Sequence, residues 1–479
     1  MTAAALETGI FRALVAGRLV ATDAAGAPGL AVEDPSTGEV IAQVPDIGTE
    51  LLDDAVAAAM RSQPAWAADE PLRRQVLRRF ADLLEEHADE LGALVSAETG
   101  KSLLGGRMEA VMGAEHARWL ADADLPREVL VDDERRAVVL EHLPIGVVAA
   151  IVPWNAPLVM AAHKIAAALR AGNAVVLKPS PFTPLATLRL AEIVADVVPA
   201  GVLSVLTGGD ELGRAMTTHP GVGMVAFTGS VRTGQAIMAS AAASLKRLTL
   251  ELGGNDAAIV LGDVDPVAVA PQLFRIAFLN AGQVCQAIKR LYVARSVHGE
   301  IVAELQRIAE SVRLGGPTEE GATFGPLTTA EQRSVVARLV DDARAAGAVI
   351  VTGGAPADRP GYFYPPTIVT GLSDDDPLVA QEQFGPALPV LAFDDEDEAV
   401  ARANGTPFGL SASVWGTDVE RAARVARRLV AGSVWVNRHA GVEPHIPFGG
   451  MRHSGIGRES GLAGLLSYTE SRTVEVPRG

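Results

Sequence analysis

The stretch IGVVAAIVPWNAPLVMAAHKIAAALRAGNAVVLK, residues 145–178, predicts one β–α–β unit and with it the fold class. Its first apolar run, 145–152, and its last, 174–178, are short and rich in β-branched residues, as buried strands are. The segment 158–172 between them has the pattern of a helix. Continuous apolar strands separated by helices are typical of a parallel sheet that is covered on both faces. The sequence therefore predicts an α/β fold.

The same alternation extends towards the C-terminus. A helical pattern at 185–197 leads to two more apolar runs, 202–206 and 224–227. A second series begins after Leu252. Its apolar runs lie at 257–261, 291–294, 348–352 and 434–437. Two series of this kind predict two doubly wound parallel-sheet domains.

Two segments alternate like antiparallel strands instead. Residues 129–142 have the pattern of a hairpin, and residues 467–476 near the C-terminus alternate likewise. Edge strands of this kind commonly pair with another subunit, although pairing within the same chain is the alternative. We expect a small β oligomerisation arm.

The composition is that of a soluble globular protein with ample core material. Of 479 residues, 48% are hydrophobic and 21% are charged. The net charge of -17 disfavours nucleic acid and anionic membranes as partners. One cysteine requires no oxidising compartment, and the stretch 1–20 lacks the pattern of a signal peptide. A cytoplasmic location is therefore expected.

Several motif-like stretches are better explained by local structure. Gly-Lys-Ser at 100–102 lacks the earlier glycine of a phosphate loop, and SGIGRESG at 454–461 has the wrong spacing for a dinucleotide fingerprint. The acidic runs 374–376 and 394–398 stand where helices begin, where carboxylates stabilise the helix dipole. The histidines have no metal-ligand spacing, so no metal site is predicted.

The only cysteine, Cys285, lies in NAGQVCQAIKR. A lone cysteine is by itself more often an inert buried residue than a nucleophile. Here Gly282 relieves backbone crowding, and the nearby charges of Lys289 and Arg290 are expected to lower the pKa of the thiol. The surroundings therefore favour a reactive cysteine.

Six short motifs in the same order and at similar spacing identify the chain as resembling the aldehyde dehydrogenase superfamily. They are VPWN at 152–155, FTGS at 227–230, LELGG at 250–254, GQVC at 282–285, FGP at 384–386 and PFGG at 447–450. The resemblance covers nearly the whole chain. It implies oxidation of an aldehyde to a carboxylic acid.

The resemblance also implies the roles of three catalytic residues. Cys285 is expected to attack the aldehyde, and the Asn155 side chain and the Cys285 backbone N–H to stabilise the oxyanion. Glu251 is expected to be the general base that hydrolyses the thioester. The structural alternatives are a turn residue for Asn155 and a solvated or helix-capping acid for Glu251.

The cofactor implied by the resemblance is NAD, with NADP as an option. Lys178 is expected to reach the adenosine ribose, Gly229 and Ser230 the pyrophosphate, and Glu382 and Phe384 the nicotinamide end. The other residues expected at the cofactor are Ile151, Pro153, Trp154, Ser180, Gly208, Phe227 and Leu252.

One departure from the family pattern bears on cofactor choice. Many NAD-preferring relatives carry a glutamate after Lys-Pro-Ser, where this chain has Pro181. Two further departures, Asn255 after LELGG and Arg452 after PFGG, do not touch the chemical core.

The aldehyde itself is not identified by the sequence. The resemblance places Ala156, Met160, His163 and Gln286 at the substrate pocket, and Ala156 stands where a bulky aromatic residue is frequent. The loop at its mouth contains Arg438, His439 and His445, which would favour an acidic or polar aldehyde unless they are merely solvated.

The resemblance assigns a function to each predicted unit. The ranges are 1–124 with 145–252 for a variant Rossmann dinucleotide-binding domain, 253–462 for the catalytic domain, and 125–144 with 463–479 for oligomerisation strands. A homodimer or homotetramer is expected. Two alternatives are an enzyme that transfers the acyl group to CoA, against which Glu251 argues, and a catalytically silent binding protein that retains the fold.

Overall fold

A computed structural model of the chain describes residues 11–21 and 29–478. Part of the stretch interpreted as lacking a signal peptide, residues 1–10, lies outside the described residues. The predicted ranges 1–124 and 463–479 are therefore covered only in part.

The described residues form strands that group into four sheets. The strands are β1 Ala13–Val15, β2 Arg18–Val20, β3 Leu30–Asp34, β4 Glu39–Val44, β5 Glu128–Asp132, β6 Arg136–Pro144, β7 Val147–Ile151, β8 Ala174–Lys178, β9 Leu203–Val205, β10 Met224–Thr228, β11 Arg247–Glu251, β12 Asp256–Val260, β13 Ile288–Ala294, β14 Val349–Thr352, β15 Thr367–Thr370, β16 Ala387–Phe393, β17 Ser411–Trp415, β18 Ser433–Val436, β19 Gly455–Ile456 and β20 Thr469–Pro477.

Helices alternate with these strands over most of the chain. They are α1 Leu52–Ala68, α2 Glu70–Glu86, α3 Ala88–Thr99, α4 Leu103–Asp122, α5 Pro157–Arg170, α6 Leu185–Val194, α7 Asp210–Thr218, α8 Val231–Ala242, α9 Pro266–Ala277, α10 Arg295–Ser311, α11 Ala330–Ala345, α12 Pro377–Ala380, α13 Glu396–Asn404, α14 Val419–Ala426 and α15 Gly461–Leu466. The predicted α/β class is confirmed.

The first sheet has the strand order β19-β11-β10-β7-β8-β9-β1-β2. Its five central strands are parallel, as predicted, but β1, β2 and β19 are antiparallel to their neighbours. Only Ala16 and Gly17 connect β1 to β2, both at positive φ, and so short a turn forces an antiparallel hairpin. The predicted parallel-sheet domain is therefore confirmed, with antiparallel strands added at its two edges.

The second sheet has the strand order β14-β15-β16-β13-β12-β17-β18 and is parallel except for β14. The run predicted as a strand at 348–352 is this antiparallel edge strand. The segments that lead into two of its parallel strands, β13 and β16, contain Cys285 and Phe384.

The predicted hairpin and C-terminal strand form a third, antiparallel sheet in the order β20-β6-β5. β20 pairs with β6 along its whole length, from Thr469 opposite Pro144 to Pro477 opposite Arg136. β5 is left at the edge with Val129 and Leu130 exposed. The tail therefore pairs within its own chain, and oligomerisation through this sheet remains a proposal.

Helix α5 lies at the centre of the first domain, between the sheet and α4. Thirteen of its 14 residues are buried, most of them alanine, valine, leucine or isoleucine. Gly113 of α4 allows the close approach, because a Cβ there would lie 2.9 Å from the Cβ of Ala162. Small residues thus bring the two helices together and fix the start of α5, which carries the site.

The rejected motifs have local structural roles. Gly100 ends α3 at φ 79°, and Ser102 caps α4 through the Gly105 N–H. Asp395 caps α13. No helix in the described part of the chain is long and apolar enough to span a membrane.

Candidate active site

The carboxyl ends of parallel strands bring four predicted residues to one edge of the first sheet. Ile151 and Lys178 end β7 and β8 and are register partners. Phe227 in β10 pairs with Ile151, and Glu251 ends β11 opposite Thr228. The chain runs from β7 through β8 to β9 and then returns to β10 on the other side of β7. Ligands of α/β sheets bind at such a switch point.

The second sheet presents Cys285 and Phe384 to this edge, just before β13 and β16. Contacts of Asn155 and Trp154 link this edge to the second sheet. The Asn155 Nδ2 donates to the Gln283 carbonyl oxygen at 2.8 Å, and the Trp154 ring stands edge-on to Phe384 with centroids 5.5 Å apart. The two groups of predicted residues therefore converge.

A tight loop presents Cys285. Asn280 and Ala281 adopt left-handed φ angles of 51° and 54°. Gly282 follows at φ +75°, and a Cβ there would lie 2.3 Å from the Gly385 carbonyl oxygen. Only glycine fits this conformation and this contact. The predicted relief of crowding by Gly282 is confirmed.

The buried side chain of Gln283 fixes the same loop. Its Nε2 donates to the Asn280 carbonyl oxygen at 2.9 Å, and its Oε1 accepts the Thr328 N–H at 2.9 Å. Both ends of the amide are thus bound to the backbone. Gln283 therefore positions the cysteine and does not face the reacting atoms.

Two hydrogen-bond donors are available beside the thiol. The bond to Gln283 occupies one N–H of the Asn155 amide and leaves the other. No acceptor among the described residues receives the backbone N–H of Cys285. A donor pair of this kind stabilises an oxyanion on a carbon bound to sulfur.

Burial raises the pKa of the Cys285 thiol to about 12, and the positive charge of Lys289 only partly opposes this. The Lys289 ammonium donates hydrogen bonds to the Val284 and Cys285 carbonyl oxygens, at 2.8 and 2.6 Å. Arg290 points to the Asn255 and Ala403 carbonyl oxygens instead. The expected lowering of the thiol pKa is wrong for this state, so the thiol needs a base to be ionised.

Glu251 is a buried carboxylate at the end of β11 whose charge acts on Cys285. Its side chain is 5% exposed, and neither carboxylate oxygen has a hydrogen bond of regular geometry, although the Gly450 N–H faces it. Burial and the neighbouring Glu459 raise its pKa well above the usual range. The interpretation of Glu251 as a solvated acid is wrong, because the side chain is buried.

A buried ion pair between Lys164 and Glu459 lies next to Glu251. Lys164 opposes the upward shift of the Glu251 pKa that burial and Glu459 produce. Sequence analysis missed both residues, which are 295 positions apart. Glu459 belongs to the 454–461 stretch that was interpreted only as a turn.

Lys178 is buried at the predicted cofactor edge, where burial lowers its pKa to about 8. Its Nζ donates to the Pro179 carbonyl oxygen at 3.2 Å. Ser180 accepts the Phe182 N–H, and Gly208 lies against Leu212 at the entrance to α7. These contacts are weak or local and leave Lys178 able to turn to a ligand.

The predicted pyrophosphate donors are partly committed to the fold. The Gly229 N–H donates to the Glu251 carbonyl oxygen at 3.0 Å. It is therefore not available to a phosphate, contrary to the expectation. The Ser230 hydroxyl caps α8 by accepting the Thr233 N–H. A Cβ at Gly229 would lie 2.4 Å from the Phe227 ring, so glycine is needed here for space.

Glu382 is turned towards the loop after β11. Its Oε1 accepts the Gly254 N–H at 3.0 Å and lies 3.6 Å from Lys289 Nζ. A Cβ at Gly253 would lie 2.0 Å from its Oε2. The carboxylate must turn away from this loop to reach a ribose.

The residues at the switch point fit a dinucleotide. The Thr228 hydroxyl there is buried without a partner among the described residues, which marks an unmet hydrogen bond at the edge of the sheet. Next to this edge, the Leu252 side chain packs against Gly234 and fills the space that a Cβ at residue 234 would need. Ile151, Pro153 and Trp154 line the exit from β7.

The predicted substrate residues divide into two groups. Ala156 precedes α5 directly after Asn155, Met160 lies one turn further, and the Oε1 of Gln286 is buried without a partner among the described residues. His163 is buried and stacks on His116 with centroids 4.0 Å apart. It lines a separate pocket with Glu459 and Tyr468, so its interpretation as a tunnel residue loses support.

The loop at the predicted mouth does not present three free cations. His439 is 2% exposed, and its ring bonds Ser413 Oγ and the Gln286 carbonyl oxygen. Arg438 and His445 are exposed, but both lie near Glu443, at 3.5 and 3.8 Å. The expected preference for an acidic aldehyde is therefore weakened, and His439 is a positioning residue that sequence analysis misjudged.

The fold and the site together define the class of nicotinamide-dependent oxidoreductases. A sequence profile described as the aldehyde dehydrogenase family matches residues 22–474, and the chain belongs to that family. It oxidises aldehydes with NAD(P)⁺.

Similar proteins support this placement over nearly the whole chain. A phenylacetaldehyde dehydrogenase of Pseudomonas fluorescens is 41% identical over 93% of this chain and 92% of its own. The NAD⁺ complex of a Bacillus cereus aldehyde dehydrogenase is 35% identical with a TM-score of 0.96, covering 99% of this chain and 98% of that one. An NADP-dependent enzyme of E. coli is 34% identical with a TM-score of 0.94, covering 98% of each.

Proposed function

We propose that Cys285, Asn155 and Glu251 convert an aldehyde into a carboxylic acid through a thioester that water hydrolyses. One observation carries the proposal. The hydrogen bond from Asn155 to the Gln283 carbonyl oxygen, at 2.8 Å, holds an amide of the first sheet beside the nucleophile loop of the second. The buried carboxylate of Glu251 completes the set.

Ionisation of the thiol is the first step. Because burial raises the pKa of Cys285, the thiol is protonated at neutral pH until a base removes the proton. The raised pKa of Glu251 makes its carboxylate a competent acceptor. The thiolate then adds to the carbonyl carbon.

The second step is stabilisation of the oxyanion on that carbon. The free N–H of Asn155 and the backbone N–H of Cys285 donate to it. A nicotinamide cofactor held at the edge with Lys178 and Glu382 would supply the hydride acceptor for this carbon, and Cys285 would then carry the acyl group as a thioester.

Hydrolysis uses Glu251 again. After the proton taken from the thiol has been released to solvent, its carboxylate removes a proton from water, the resulting hydroxide attacks the thioester carbon, and the thiolate of Cys285 leaves. The carboxylic acid is released with one oxygen from water. A CoA-dependent enzyme does not need a base that activates water, and a silent protein needs no nucleophile, amide and base together.

The substrate is the next part of the proposal. Phenylacetaldehyde, named for the Pseudomonas fluorescens relative, is the first candidate because small Ala156 leaves room beside Asn155.

We further propose a cytoplasmic homodimer or homotetramer that assembles through the β5–β6–β20 sheet. The division into 1–124 with 145–252, 253–462, and 125–144 with 463–479 belongs to the same proposal.

An isotope experiment tests the proposed reaction. The full chain is incubated with NAD⁺ and phenylacetaldehyde, or the best aldehyde of an aliphatic and aromatic panel, in ¹⁸O-labelled water. We expect the acid to gain one ¹⁸O beyond the label that aldehyde exchange alone introduces, without added CoA. Turnover that requires CoA would overturn the hydrolytic assignment.

A further inference from the structure

Lys178 and helix α7 form one wall at the carboxyl end of β8. The Lys178 side chain runs along the first turns of the helix, since a Cβ at Gly213 would lie 4.0 Å from its Cδ and Cε. Gly213 is three residues after Asp210, the first residue of α7. Residues three apart lie on one face of a helix, so Asp210 is on the face that covers Lys178.

A second carboxylate approaches from the N-terminal part of the chain. Asp46 lies beside Gly208, with its Oδ1 3.4 Å from the position of a Gly208 Cβ. The charges of Asp210 and Asp46 both act on Lys178 and oppose the lowering of its pKa by burial. Two acids thus act on one lysine at the predicted cofactor edge.

Both acids keep hydrogen-bonding capacity. Asp210 has a side chain that is 95% exposed, and among the described residues its one ion-pair partner is Arg214, at 3.9 Å. Asp46 accepts the Gly48 N–H at 3.2 Å through one oxygen. Pro181 meanwhile supplies neither an acceptor nor a charge at the position where relatives carry glutamate.

We propose that Asp210, assisted by Asp46, is the carboxylate that makes this enzyme prefer NAD⁺ to NADP⁺. It accepts hydrogen bonds from the adenosine ribose hydroxyls that Lys178 also reaches, and it repels a 2′-phosphate at the same position. The start of α7 thereby supplies the carboxylate that Pro181 does not. The inference rests on the proposed placement of Lys178 in the cofactor site.

Direct binding of each cofactor tests this without turnover. Dissociation constants of NAD⁺ and NADP⁺ are measured by calorimetry on the full chain without aldehyde. Asp210→Asn removes the charge and releases Arg214, and both changes favour a phosphate. We expect NADP⁺ to bind about tenfold more tightly and NAD⁺ to change by less than about threefold, the scale of one surface charge pair.

Two further variants separate this effect from general electrostatics. Glu211→Gln removes the same charge from the same turn of α7, but one residue further round the helix, and should leave the ratio of the two constants within about twofold. Asp46→Asn should shift the ratio in the direction of Asp210→Asn. An unchanged ratio in Asp210→Asn, or an equal shift in Glu211→Gln, would overturn the inference.

The outcome for the wild type distinguishes this inference from the proposed function. If neither cofactor bound, the proposed function and this inference would both be wrong. If NAD⁺ bound and Asp210→Asn left the ratio unchanged, only the assignment of Asp210 would be wrong.

Discussion

The side-chain amide of Asn155 donates a hydrogen bond to the main-chain carbonyl oxygen of Gln283 at 2.8 Å. Asn155 follows the end of β7 in the first sheet, and Gln283 lies in the loop before β13 in the second. Asn280 returns a bond from its Nδ2 to the Asn155 carbonyl oxygen at 3.2 Å. The amide is therefore held in place before any aldehyde arrives.

Loss of this amide should affect the chemical step and leave cofactor binding intact. Asn155→Ala removes one of two oxyanion donors, so we expect kcat to fall by roughly 10²–10³. Steady-state kinetics measure the fall, and calorimetry with NAD⁺ serves as the control for folding and cofactor binding. A kcat within threefold of wild type would show that the amide is only a turn residue.

The conformation of the nucleophile loop makes a stability prediction. Gly282→Ala forces a Cβ into positive φ and against the Gly385 carbonyl oxygen, at a cost of about 1–3 kcal/mol, and displaces Cys285. Urea denaturation and activity should both report the loss. Gly299→Ala is the matched control, since nothing lies within 4 Å of that Cβ and its φ is not positive. Equal stability of the two variants would contradict the account of the loop.

The reactivity of the thiol should depend on pH in a specified direction. Burial raises the pKa of Cys285 to about 12, so the thiolate fraction of the free enzyme is small at neutral pH and rises with pH. Alkylation by iodoacetamide should accelerate about tenfold per unit up to beyond pH 9, where an ordinary thiol levels off. Because the chain has one cysteine, mass spectrometry follows a single site. A plateau below pH 8 would show that a nearby cation prevails over burial.

Features encoded by neighbouring residues could be predicted from the sequence. Apolar runs and turn residues predicted most central strands and the 129–142 hairpin, and the family motifs predicted which residues gather around Cys285. The antiparallel edges could not be predicted in this way, because pairing of Leu14 with Val205 joins distant segments.

Properties that depend on burial or on distant partners were also missed. Lys289 indicated an activated thiol, but burial raises the pKa of Cys285. The extent of burial cannot be inferred from the residues that neighbour Cys285 in the sequence. The Gly229 N–H is taken by the Glu251 carbonyl oxygen, because β10 and β11 are neighbours in the sheet. The pair of Lys164 with Glu459 likewise becomes apparent only in three dimensions.

Cofactor preference can be strengthened at the position of Pro181. We expect the wild type to prefer NAD⁺ and still to use NADP⁺ at reduced kcat/KM. Pro181→Glu adds a carboxylate near Lys178 and should weaken NADP⁺ use far more than NAD⁺ use. Kinetics with both cofactors check this, with Pro181→Gln as the neutral control for the loss of the proline ring. A wild type that favours NADP⁺ more than about tenfold would contradict the prediction.

The mass of the Glu251→Gln variant after mixing with aldehyde and NAD⁺ tests the central claim most directly. Glutamine keeps the shape of Glu251 but cannot accept a proton from water, so turnover should fall by roughly 10²–10⁴. Thiol ionisation is slowed as well, yet the thioester should still accumulate because its hydrolysis is blocked. Intact-protein mass spectrometry should then detect one acyl group per chain, formed together with one NADH, and none in a Glu251→Gln, Cys285→Ala double variant. An acyl group that persists without Cys285, or rapid steady-state turnover in Glu251→Gln, would contradict the thioester mechanism.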